Sequence, residues 1–151
     1  MIRCSRTVVV LACVVLLSGC NSDVPVSAVT DVIPLGFHVT VTRVATHPFL
    51  ARFNLTLSVS TPEGCFASSE LFPDTGGVSR RNLYRARTNR LYLVGQFDVR
   101  RFHAPSCRIE LIEFRSLEPG LLFVGSFDVE RSGRWMFFPA DRRAERPFEP
   151  L

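Results

Sequence analysis

Two stretches of strict apolar and polar alternation constrain this chain more than any other feature. Phe37, Val39 and Val41 alternate with His38, Thr40 and Thr42, and Phe53, Leu55, Leu57 and Val59 alternate with Asn54, Thr56, Ser58 and Ser60. A period of two sends one set of side chains to each face, so each run predicts a strand with one side in a core and one in water. His47-Pro48 separates the runs, and Thr61-Pro62-Glu63-Gly64 ends the second just before Cys65. Pro73-Asp74-Thr75-Gly76-Gly77 marks another turn, because proline and glycine supply dihedrals that regular elements avoid.

Further along, Leu83 to Val99 predicts a hairpin with Thr88-Asn89-Arg90 near its tip. Leu91-Tyr92-Leu93-Val94-Gly95-Gln96-Phe97-Asp98-Val99 then recurs as Leu121-Leu122-Phe123-Val124-Gly125-Ser126-Phe127-Asp128-Val129, identical at six of nine positions. A strand from Cys107 to Arg115 lies between the copies in sequence. Pairing it with the second copy sets Ile109 opposite Phe127, Cys107 opposite Val129 and Arg108 opposite Asp128, with apolar pairs on one face and opposite charges on the other. The copies would then run parallel on either side of it, as a C-terminal meander. Trp135 to Phe138 is a last strand. Seven or eight short strands without a helical period predict an all-β fold, a single small antiparallel sandwich or barrel over residues 35–139. Residues 140–151, rich in charge and proline, are expected as an exposed tail.

The amino end has a different character. Arg3 and Arg6 precede an unbroken apolar run from Val8 to Leu17. That is too short to span a bilayer, which takes about 20 residues, but suits the apolar core of a signal peptide. Leu17-Ser18-Gly19-Cys20 follows, and it resembles the lipobox of bacterial lipoproteins: a branched apolar residue, two small residues and a cysteine. The resemblance implies that residues 1–19 are a cleaved signal peptide and that Cys20 becomes the acylated first residue, attached to a membrane through its lipid. Residues 20–34, with two prolines and no period, are expected as a tether. Asn21 stands where an aspartate looks like an inner-membrane retention signal in enteric lipoproteins, so the expectation is the outer membrane, facing the periplasm.

Removing residues 1–19 from the 151 leaves 132, enough for one domain that buries roughly two-thirds of its unfolded surface. The net charge falls from +4 to +2, because Arg3 and Arg6 leave with the signal. Every basic residue is arginine, which points to codon bias, and nucleic acid is not an expected partner. Of five cysteines, Cys4 and Cys13 also leave and Cys20 is acylated, so Cys65 and Cys107 remain to form a disulfide in an oxidising compartment. That bridge would contribute about 4 kcal/mol by constraining the unfolded chain. Two lone cysteines lack the spacing of a zinc site.

Candidate chemistry is sparse. Asp74-Thr75-Gly76 matches the catalytic tripeptide of aspartic proteases, and Phe123-Val124-Gly125 resembles the apolar-apolar-glycine element downstream of it. Such an enzyme needs two carboxylates sharing a proton, hence a dimer at this size. Pro73 and Gly77 depart from that pattern and fit a turn. Gly95 and Gly125 would admit a ligand or an aromatic ring close to the backbone. Asp98 and Asp128 would lie about 10 Å apart across a strand, too far for one ion, so pairing with arginine is expected. His38, His47 and His103 are scattered, and neither a metal nor a cofactor is expected. Arg80, Arg81, Arg85, Arg87, Arg90, Arg100 and Arg101 crowd a stretch in which Asp98 is the one acid, a possible patch for an anionic lipid or acidic protein. Taken together, these residues point to a non-catalytic protein-binding lipoprotein domain of the envelope-assembly or inhibitor and immunity type, with an envelope protein as partner. The rivals are an aspartic-type envelope hydrolase using Asp74 and a purely structural lipoprotein.

Overall fold

A computed structural model describes residues 24–148, so residues 1–23, where the signal peptide and Cys20 are expected, and the last three residues lie outside the described residues. Among the described residues ten strands form: β1 (Val26–Val32), β2 (Phe37–Ala45), β3 (Phe53–Ser60), β4 (Phe66–Glu70), β5 (Arg81–Arg85), β6 (Arg90–Val94), β7 (Val99–His103), β8 (Arg108–Ile112), β9 (Leu122–Val129) and β10 (Trp135–Pro139). They make a four-stranded sheet in the order β1-β2-β3-β4 and a six-stranded sheet in the order β10-β9-β5-β6-β7-β8, every pairing antiparallel. The all-β antiparallel sandwich expected from the alternation is what the chain adopts.

The alternating runs act as expected. Phe37, Val39 and Val41 of β2 and Leu55, Leu57 and Val59 of β3 are buried, with Val39 opposite Val59 and Val41 opposite Leu57. They pack against Leu83, Leu91, Leu93, Phe102 and Phe127 of the second sheet. Burying each such side chain contributes about 1.5–3 kcal/mol, which makes this layer the main stabilising term. The sandwich is pinned at both long edges. On one, Trp135 is buried and its Nε1–H donates to the Val41 carbonyl at 2.8 Å, tying β10 to the first sheet. On the other, the Cys65–Cys107 disulfide, with Cα atoms 5.7 Å apart, joins the turn before β4 to the turn before β8.

Four expectations are corrected. The stretch 20–34 is not all tether: Val26–Val32 is edge strand β1, with Ala28 and Val32 facing inward. Its period is weak because one of its two inward residues is a small alanine. The strands also exceed seven or eight, because β4 is too short and polar to carry an apolar alternation and the first repeat copy is two strands. It breaks after Val94, where Gly95 N–H donates to the Asp98 carbonyl at 2.8 Å and β7 begins. The second copy runs on as β9.

The hairpin expected between 107–115 and 121–129 does not form. β8 is an edge that pairs with β7, setting Ile109 opposite Phe102, while β9 lies between β5 and β10. The two copies are parallel across an antiparallel centre strand, but that strand is β5, and the meander runs from β5 to β8. Finally, residues 140–148 are exposed at most positions, as expected, but they are held to the sheet and do not trail from it. Phe148 packs with Ala86, Tyr92, Val94 and Val99 on the outer face of the six-stranded sheet, beside Leu117 and Leu121 of the β8–β9 crossover. A second apolar layer under crossover and C-terminal segment explains why β6 is buried on both faces.

Candidate binding groove

The loops fall at two opposite ends. At the disulfide end lie the β1–β2 turn, the β3–β4 turn, the β5–β6 turn and the β7–β8 turn. Each is built locally: Gly36, at φ +68°, donates to the Val32 carbonyl, Thr61 N–H to the Cys65 carbonyl, Ala86 N–H to the Arg90 carbonyl, and Cys107 N–H to the Ala104 carbonyl. Glycine is required at position 36 twice over, since a Cβ there would lie 2.9 Å from the Pro62 ring.

Between these turns runs a half-open groove of about 600 Å³, lined by Pro34, Leu35, Phe37, Cys65, Ala104 and Pro105 among apolar residues, and by Thr61, Glu63, Thr88 and Asn89. Phe37 stands edge-on to Phe102 beneath it, 5.6 Å between ring centres. Next in sequence to the lining, Ile33 is 81% exposed and Phe66 is 68% exposed. The disulfide holds turns of both sheets around one concavity. An apolar floor, a few polar groups and two protruding apolar side chains suit capture of a peptide loop or chain end. The sequence marks Thr61-Pro62-Glu63-Gly64 and Thr88-Asn89-Arg90 only as turns and leaves Pro34 in the tether. That four turns converge follows from strand order, which no local signal carries.

The residues singled out from sequence have other roles. Asp74 is buried, and one carboxylate oxygen accepts the Gly76 and Gly77 N–H groups at 3.0 and 2.7 Å while the other accepts the Ser79 hydroxyl. It builds its own turn, and both its oxygens are engaged there.

The arginines do not form one patch. Arg81 is buried, donating to the carbonyls of Phe72, Val78, Ser79 and Arg80, with its charge 3.6 Å from the buried Asp98 carboxylate. Arg100 stands 3.6 Å from the same carboxylate. Arg80 bonds the Arg146 carbonyl and lies over the Phe148 ring, Arg90 pairs with Glu118, and Arg101 pairs with Glu110 at 2.7 Å. Arg85 and Arg87 have no ion pair among the described residues. Alternation around β5 and β6 sends neighbouring arginines to different faces, and Arg81, Arg90, Arg100 and Arg101 each meet a local environment containing an acid.

Asp98 and Asp128 do pair with arginine. Asp128 meets Arg143 and Arg146 of the C-terminal segment, and not Arg108 as the expected hairpin required. Gly125 is a close-approach point, since a Cβ would lie 2.4 Å from the Phe137 ring and from the Phe138 carbonyl oxygen. At Gly95 a Cβ would meet the Arg81 guanidinium and Asp98 at 2.7 Å. Cys65 and Cys107 are bonded as expected. His38 pairs with Asp31, His47 accepts from the backbone of Phe49 and Leu50, and His103 bonds Ser106.

Two tyrosines show what burial does to charge here. The Tyr84 hydroxyl donates to Glu145 at 2.7 Å, and burial together with that bond pushes its pKa up to about 12. Tyr92 is raised by burial and by its bond to Glu118, whose own carboxyl is held below its usual value by Tyr92 and Arg90. Comparison with protein-family models, with curated proteins and with solved structures finds no match to this chain.

Proposed function

We propose that this chain is a lipid-anchored envelope lipoprotein whose sandwich binds a protein partner at the disulfide end without acting on it chemically. The groove carries the proposal: its lining offers apolar floor, hydroxyl, amide and one carboxylate, the pattern of a recognition surface, and Ile33 and Phe66 stand exposed beside it. The lipobox-like Leu17-Ser18-Gly19-Cys20 supports the anchor. The assembly-factor and inhibitor versions share this surface. They differ in whether the bound partner is an enzyme that loses activity.

The test places a photo-crosslinking amino acid at Ile33, at Phe66 and, as a control, at exposed Ser116 of the crossover, in cells of the native host. One discrete adduct at Ile33 and Phe66, absent at Ser116, is expected. Adducts no stronger than at Ser116 would remove the groove as a binding site. Mass spectrometry of the mature amino terminus tests the anchor separately, and the expected species begins at Cys20 with acyl mass.

A further inference from the structure

The end opposite the groove gathers five of the exposed large apolar side chains. The β2–β3 loop (46–52), the β4–β5 loop (71–80), the β6–β7 turn (95–98) and the β9–β10 turn (130–134) meet there. The backbone of Phe53 exchanges hydrogen bonds with Asp74 at 2.8 and 2.9 Å, and Phe72 N–H donates to Asp98 at 2.9 Å, so the first three form one surface. From it project Phe49, 87% exposed, Phe97, 56% exposed, and Leu50, Phe72 and Val78. His47 accepts the N–H groups of Phe49 and Leu50, fixing the backbone turn that presents them. The carboxylates in the first three loops are those of Asp74 and Asp98, and both are buried. Arg52 and Arg131 are exposed, with no ion pair among the described residues. The first three loops present an apolar rim with exposed Arg52 and no exposed carboxylate, and in the fourth Glu130 is paired with Arg134 beside exposed Arg131, a composition that matches the interface of an anionic bilayer.

The chain enters the fold at this same end, because Val26 pairs with Arg43 near the end of β2 that leads into the β2–β3 loop. With β1 beginning at Val26, the expected long tether shrinks. Cys20 and Val24 are four residues apart, a span of at most roughly 14 Å. The sandwich is longer than that: the eight residues of β3 extend about 27 Å. We infer that the loop end bearing Phe49, Leu50, Phe72, Val78 and Phe97 lies against the lipid bilayer, with those side chains in the interfacial region and the groove held away from it. The inference rests on the acylated Cys20 of the proposed function and adds the orientation.

The experiment uses the full chain, purified from its host with its amino-terminal modification and reconstituted in phosphatidylethanolamine and phosphatidylglycerol vesicles containing brominated lipid. Phe49→Trp and Phe97→Trp report on the loop end, and Phe66→Trp on the groove end. Quenching at least threefold stronger for the first two than for Phe66→Trp is the expected result. Co-flotation with vesicles while all three probes stay unquenched, or stronger quenching at Phe66→Trp, overturns the orientation and leaves the anchor intact. A mature terminus without acyl mass overturns the anchor and the orientation together. A dimer whose Phe49→Trp probe is shielded without vesicles assigns this end to a second copy instead.

Discussion

Asp98 and Asp128 occupy equivalent places in the nine-residue repeat, yet the fold asks different things of them. Asp98 is buried between Arg81 and Arg100 and accepts one backbone N–H, so its loss strands a buried guanidinium. Asp98→Ala is expected to destabilise the protein by about 3–5 kcal/mol in urea unfolding. Asp128 sits nearer solvent with two arginines of the C-terminal segment, and Asp128→Ala should cost about 1 kcal/mol or less. Equal losses at the two positions would contradict this placement.

The tyrosines give a pH prediction with a definite sign. Tyr84 has a folded pKa of about 12, above the 10.0 of the free side chain. The stability it contributes is therefore complete below pH 10 and is lost as pH rises toward 12. Tyr92 shifts in the same direction. An ultraviolet titration of the native protein should show no tyrosinate at pH values where free tyrosine is half ionised, and Tyr84→Phe should flatten the alkaline decline of stability.

Among the elements, the second repeat copy and the crossover carry the sharpest consequences. β9 passes Gly125 under the Phe137 ring, where any Cβ collides with ring and backbone. Gly125→Ala should cost about 1–3 kcal/mol through this overpacking, with far-ultraviolet circular dichroism unchanged. The crossover is pinned by Glu118, which accepts from Tyr92, Arg90 and Thr88. With its folded pKa depressed, Glu118 contributes stability that is present at neutral pH and lost as pH falls below the ordinary carboxylate range. Glu118→Ala should therefore lower stability by about 1–3 kcal/mol at pH 7 and by less in acid, measured by denaturant unfolding at both. The repeat shows why such elements were illegible in part: identical residues at Gly95 and Gly125 serve a turn in one copy and a ring contact in the other. Sequence similarity records the residue and not the neighbour that uses it.

For the molecule as a whole, the proposed function rests on the two ends. Reducing the Cys65–Cys107 bridge should lower stability by about 4 kcal/mol in the chain-entropy account, and it releases two of the turns that line the groove. Partner binding at Ile33 and Phe66 should weaken in the reduced protein even under conditions where circular dichroism still reports folded sheet. The short span between Cys20 and Val24 would then leave the groove as the surface turned toward a partner.

Strand character in β2 and β3, the turn at Asp74 and the sandwich class were determined by the sequence, because each depends on periodicity or on chemistry local to a few residues, and the cysteine pairing was legible from the cysteine count alone. Strand order, the closing of the β8–β9 crossover over Tyr92, the dispersal of the arginines and the convergence of four turns into one groove were decided only in the tertiary structure. Those features depend on which distant segments share an edge or a face. Burial of a whole apolar layer selects that arrangement, and no single stretch of the chain contains it.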